Sequence, residues 1–138
     1  MVNKLNIDIL RWVSRAWRYR LKVEKQEINF MLSHLKPGQT AIDIGAHKGA
    51  YTYWMSKYVG KDGKVFAFEP QPKLYNQLNK LLEHSNNYNV NLELLALSSS
   101  KGEDTMVIPG KKTSPSASIN NNKQEGLGAE ITVEKTTL

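Results

Sequence analysis

The sequence contains no cysteine, and that absence closes several routes at once. A disulfide framework, a thiolate metal site and a thiol nucleophile are all excluded. It also fits a reducing compartment, and a cytoplasmic location is the expectation. Long apolar runs are missing too. No stretch approaches the roughly 20 residues of a membrane span, and the N-terminus lacks a signal peptide's unbroken apolar core. No set of His, Asp and Glu has metal-ligand spacing. Acidic charge is scarce at one end only: residues 1–36 hold eight Lys and Arg against three Asp and Glu, residues 37–138 eleven against ten. The basic character therefore belongs to an N-terminal segment. Such a segment would suit nucleic acid, anionic lipid or simply the solvated side of a helix.

With 40% hydrophobic and 23% charged residues, the 138-residue chain has the composition of a soluble globular domain. Two parts are expected: an amphipathic helical segment over 1–36 and an α/β domain over 37–138. In the first, Leu5, Ile9, Trp12, Val13, Ala16 and Trp17 recur at helical spacing, with Arg11, Arg15 and Arg18 on the other side. Ile28, Met31, Leu32 and Leu35 continue the period until Pro37-Gly38 stops it.

The remainder alternates. Thr40 to Ile44 reads as a buried strand and Gly49 to Val59 as a helix ended by Gly60. Val65 to Phe68 reads as a second strand. A helix opened by Pro70 and Pro72 follows, with Leu74, Leu78, Leu81 and Leu82 on one face, then a third strand over Val90 to Leu97. Strands separated by helices of this length pair in parallel. Thr105 to Ile108 and Ile131 to Lys135 read as antiparallel partners, with a mobile loop expected over Pro109 to Gly128.

The first strand runs into TAIDIGAHKGAYTYW, where Gly45 and Gly49 stand at the hand-over to a helix. Open α/β sheets bind ligands at such places. Gly45 permits a sharp turn and Gly49 a close approach by ligand or backbone. Asp43, near the strand end, can hold a cationic group. A phosphate-binding loop would need G-x-x-x-x-G-K-[ST], which is absent. A dinucleotide fingerprint would need G-x-G-x-x-G, but His47 and Ala50 occupy the second and third glycine places. What remains, D-x-G-x-x-x-G, suits a cofactor with an amino acid and a nucleoside but no phosphate, and S-adenosylmethionine is the obvious one. Glu69 closes the second strand 20 residues after Gly49, about the interval at which ribose-binding acids occur in βαβ nucleotide sites.

IDIGAHKGAYT, VFAFEPQP and LELLALS, in that order, resemble the FkbM family of S-adenosylmethionine-dependent methyltransferases from about Thr40 to Leu138. The resemblance implies a Rossmann-like class I fold, of which this chain would hold three parallel strands with helices plus a β-hairpin-like extension. It implies that Asp43, Gly45 and Gly49 flank the methionine part of the cofactor and that Glu69 binds its ribose. It also implies O-methylation of a glycan or small-molecule acceptor, with no nucleic acid partner. The family usually has Asn where His47 stands. Its seven-stranded sheet, centred on the first strand, implies that the present chain is a fragment whose first strand has one bare edge.

Blander readings compete. The two glycines would also serve a plain turn, and Glu69 would also cap the next helix. His47 reads as a surface residue of the turn before it reads as a base, and His34 and His84 as helix-end residues. Tyr51, Tyr53, Trp54 and Tyr58 suit helix packing. The Trp- and Arg-bearing segment suits docking beside the sheet, with contact to a membrane surface the less favoured reading. A non-catalytic interaction module is the alternative from another class, and a nicotinamide-dependent oxidoreductase is disfavoured by His47 and Ala50.

Overall fold

The computed structural model describes residues 3–109, 117–119 and 128–138. The chain begins with α1 (Lys4–Arg18), capped by Asn3, and continues through a π-helical turn, Tyr19–Val23, into α2 (Lys25–His34). Then come β1 (Thr40–Ile44), α3 (Ala50–Val59), β2 (Lys64–Phe68), α4 (Pro72–His84) and β3 (Val90–Glu93). Pro72 lies in the first turn of α4, where a missing N–H costs nothing.

The three strands form a parallel sheet in the order β1-β2-β3, with Ala41 opposite Val65 and Val65 opposite Val90. The expected α/β arrangement is thus present. Because side chains alternate along a strand, the register sorts the sheet into two faces. Ala41, Val65 and Ala67 pack against Met55 and Val59 of α3 and Leu78 and Leu82 of α4. Ile42 and Ile44 lie on the other face, 42% and 61% exposed, beside Phe66 and Phe68. Among the described residues β1 pairs only with β2, so its second edge is open, as expected.

Two indole N–H groups fasten the N-terminal helices to this unit. Trp12 donates to the Gly49 carbonyl at 2.9 Å and Trp54 to the Ala16 carbonyl at 2.9 Å. Trp12 and Ala16 are buried, whereas Trp17 is exposed and meets Trp54 edge-on. The apolar stripe expected on α1 therefore divides: Trp12 and Ala16 face the core and Trp17 does not. Nor does Arg15 simply face water, as the next subsection describes.

The third strand is not continuous to Leu97. β3 follows β2 to the end of their pairing at Glu93, the chain bends at Leu94, and β4 (Ala96–Leu97) joins a second sheet. That sheet has the order β4-β7-β5-β6, from β5 (Gly102–Pro109), β6 (Ser118–Ile119) and β7 (Gly128–Thr136). The antiparallel pairing of the last two long strands is as expected, but they sit in four strands rather than a lone hairpin. Met106, Val133 and Ala96 form its core, and Lys135 pairs with Asp104 at 2.9 Å. Of the loop expected over Pro109 to Gly128, residues 110–116 and 120–127 lie outside the described residues.

Candidate functional site

At the carboxyl ends of β1 and β2 lies a cavity of about 570 Å³, within the ordinary range for a small-ligand site. Asp43, Gly45 and Glu69 all line it. Three of the four residues singled out as cofactor-binding are thus brought together, and the fourth, Gly49, is displaced from the wall.

The turn that builds the site is held to β2 by its backbone. Gly45 and Ala46 both donate to the Phe68 carbonyl at 2.9 Å. Gly45 has φ +78°, which an L side chain rarely adopts, and a Cβ there would meet nothing within 4 Å. Its backbone is therefore bare towards the cavity. Gly49 (φ +73°) differs: a Cβ would lie 2.5 Å from Leu78 Cδ1 and 3.0 Å from Trp12 Nε1. The close approach expected at Gly49 is made by the protein's own α4 and α1.

Asp43 is buried, and Thr52 Oγ1 on α3 donates to its Oδ2 at 2.5 Å. Burial pushes its carboxyl above the ordinary value, against the opposing pull of the Thr52 hydrogen bonds. Glu69 is 2% exposed and takes one backbone N–H on each oxygen, from His47 at 2.7 Å and Gln71 at 2.8 Å. Burial raises this carboxyl too; the two N–H groups pull it down and neighbouring Asp43 adds a further upward push. The helix-cap role therefore exists, since Gln71 is the N-cap of α4. The second oxygen serves the glycine turn instead. Neither carboxylate has a basic side chain in salt-bridge range among the described residues. Two buried acids without a counter-cation favour a ligand that carries positive charge and hydroxyl donors.

His47 departs from the surface residue expected. It is half-buried with φ +50°, and its Nε2 is buried without a hydrogen-bond partner. Burial, then Lys48 and Arg15, lower its pKa, so the ring is neutral near neutral pH. A left-handed backbone is a conformation that Asn, Asp and His adopt more often than other non-glycine residues.

Sequence reasoning missed the contribution of the N-terminal segment. Arg15 and Glu24 line the same cavity, as does Tyr51, whose hydroxyl donates to Glu24 Oε2 at 2.5 Å. Tyr51 is thus more than packing; burial and Glu24 raise its pKa and keep it a donor. No sequence signal links these three positions, since Glu24 and Tyr51 are 27 residues apart. Trp54 is packing as expected, edge-on to Tyr53 and Trp17. His34 and His84 each place Nδ1 2.8 Å from the carbonyl four residues back, the helix-end role expected.

Residues 43–138 match the model of the methyltransferase FkbM domain. Two curated relatives are ribosomal RNA large subunit methyltransferase E from Hydrogenovibrio crunogenus and from Buchnera aphidicola. The first is 36% identical over 57 residues, covering 41% of this chain and 28% of the relative. The second is 38% identical over 61 residues, covering 44% and 27%. The matched part of the chain thus spans about a quarter of these relatives' length. A SAM-dependent methyltransferase structure from Aquifex aeolicus is similar at 26% identity and a TM-score of 0.48, covering 62% of this chain and 45% of that one. Relatives named for ribosomal RNA leave the expectation of no nucleic acid partner without support.

Proposed function

Because the chain belongs to the FkbM methyltransferase family, we propose that it holds S-adenosylmethionine in the cavity at the end of β1 and that the whole protein methylates an acceptor hydroxyl. The observation that carries this reading is the pair of buried carboxylates, Asp43 and Glu69, lining one cavity with the open backbone of Gly45. A sulfonium nucleoside has what they need: a positive centre, an ammonium group and two ribose hydroxyls. When bound, it supplies a methyl group already on a good leaving group.

Each wall residue then has a task. Glu69 accepts the ribose hydroxyls, and its two backbone N–H partners hold it in place for them. Asp43, set by Thr52, faces the methionine end. At that end Glu24 with Tyr51 offers acceptors for the ammonium group, and Arg15 offers a cation for the carboxylate. Gly45 lets the ligand lie against backbone, and Gly49 shapes the turn by admitting Leu78 and Trp12. The protein's share of the rate is positioning and exclusion of water.

For the acceptor we take a sugar or small-molecule hydroxyl, as the family resemblance implies. A second reading, a ribosomal RNA acceptor, is favoured by the identity to the two methyltransferase E relatives and by the basic N-terminal segment. Transfer of labelled methyl by the full-length protein to a glycan fraction or to ribosomal RNA separates the two. The cofactor assignment is tested by calorimetric titration with S-adenosylhomocysteine. Glu69→Ala is expected to weaken binding at least about tenfold, the loss of a charged hydrogen-bond acceptor. Equal affinity in variant and parent contradicts the ribose role.

A further inference from the structure

α1 carries a second apolar stripe, facing water. Ile7, Leu10 and Trp17 are 38%, 66% and 45% exposed, and Leu21 in the following π-helical turn is 57% exposed. Their spacing of three, seven and four residues keeps them on one side of a helix. Beside that stripe runs another, Lys4, Arg11 and Arg18, at seven-residue intervals and all exposed, followed by exposed Lys22 and Lys25. The third side is the docked one, Trp12 and Ala16, fixed by the two indole hydrogen bonds. The helix thus has three faces: core, cationic and apolar.

Trp17 is held ready while exposed. Its ring meets Trp54 edge-on with centroids 4.8 Å apart, and the Arg20 guanidinium lies 5.6 Å from its centroid. Presenting it to a partner therefore costs little additional ordering.

We propose that this outer side of α1 and the π-helical turn docks on an anionic lipid bilayer, with the helix axis in the headgroup plane. Charge complementarity identifies the occupant. Residues 1–36 hold eight cations against three acids, which suits anionic headgroups. An aliphatic stripe flanked by Lys and Arg, with a Trp at its edge, is the composition of an interfacial helix. Nucleic acid would use the cations and leave Leu10 and Leu21 in water. The same charge opposes a second copy of this face. Among the described residues no helix is long and apolar enough to cross a membrane. The inference does not depend on the cofactor assignment.

The test is flotation of the full-length protein with vesicles of phosphatidylcholine alone, or of phosphatidylcholine with phosphatidylserine. Binding is expected to the anionic vesicles only, and to weaken as salt shortens the Debye length below about 8 Å. Arg11→Gln and Arg18→Gln are each expected to lower the partition coefficient about fivefold. Leu10→Gln with Leu21→Gln is expected to lower it at least tenfold. These positions are exposed, and an unchanged thermal melt verifies that the variants are folded. Brominated lipid is expected to quench the parent's fluorescence but not that of Trp17→Phe, because Trp12 and Trp54 are buried. No binding to anionic vesicles overturns the proposal, and so does binding indifferent to the two leucines. Retention on ribosomal RNA that depends on the arginines alone, without vesicle binding, assigns the surface to nucleic acid instead.

Discussion

The indole N–H of Trp12 donates to the carbonyl of Gly49 across 37 residues of chain. Trp12 comes from a helix outside the segment that matches the family, and Gly49 caps the helix that follows the glycine turn. One bond thus ties the N-terminal segment to the loop that shapes the cavity. Trp12→Phe keeps most of the packing and loses the bond, so it should cost about 1–3 kcal/mol. Trp12→Ala should cost about 3–5 kcal/mol. Urea melts measure both, and a Trp12→Phe loss under about 0.5 kcal/mol would show that the hydrogen bond contributes little.

The two glycines should respond differently to a methyl group. Both have positive φ, which costs an L residue about 1–2 kcal/mol. Gly45→Ala should cost little beyond that, while weakening S-adenosylhomocysteine at least tenfold because the new Cβ enters the cavity. Gly49→Ala should lose an additional ~1–3 kcal/mol from the clash with Leu78. Melts and calorimetry on the pair decide it, and the reverse order of stability would refute the division of roles.

Thr52→Val should expose how Asp43 is kept. The swap preserves shape and removes the hydroxyl donor, leaving a buried carboxylate with one partner fewer. A stability loss of about 1–3 kcal/mol at neutral pH is expected, with the Asp43 carboxyl moving further upward. A loss under about 0.5 kcal/mol in denaturant melts would mean that solvent already serves this carboxylate.

Asp43 and Glu69 also give the site a pH dependence of known sign. Both carboxyls lie above their ordinary values of 3.8 and 4.5 in the folded chain. Across the window from those values upward, the unfolded chain binds fewer protons, so their contribution to stability falls as pH rises. A cationic ligand needs both groups ionised, so its stabilising effect should grow over the same window. Thermal melts between about pH 4 and 7 with and without S-adenosylmethionine test this. A ligand-induced shift that stays flat across the series would disconnect these acids from the cation.

Much of the strand and turn pattern was legible because it is local. The β-branched run Thr40 to Ile44, the stop at Pro37-Gly38 and the two prolines at the start of α4 act within a few residues of themselves. Asp43, Gly45 and Glu69 were legible because parallel strands connected through helices bring their carboxyl ends together. Thr52, Glu24 and Tyr51 were not, since their partners are chosen by helix docking rather than by spacing along the chain. The division of Val90 to Leu97 was missed for a related reason: the run has no glycine or proline to mark a break, and only the end of the pairing with β2 shows where it bends.

By itself the sequence determined the alternation of strands and helices from β1 to β3, the two glycines of the turn after β1 and the acid closing β2, all through short-range stereochemistry. Tertiary structure alone decided that Gly49 meets Leu78 and Trp12 rather than a ligand, that Arg15 and Glu24 line the cavity, and that Trp17 remains at the surface while Trp12 is buried. A helix with apolar residues on two sides does not specify which side docks. That choice belongs to the surface it meets, and here it is fixed by a carbonyl and a leucine far along the chain.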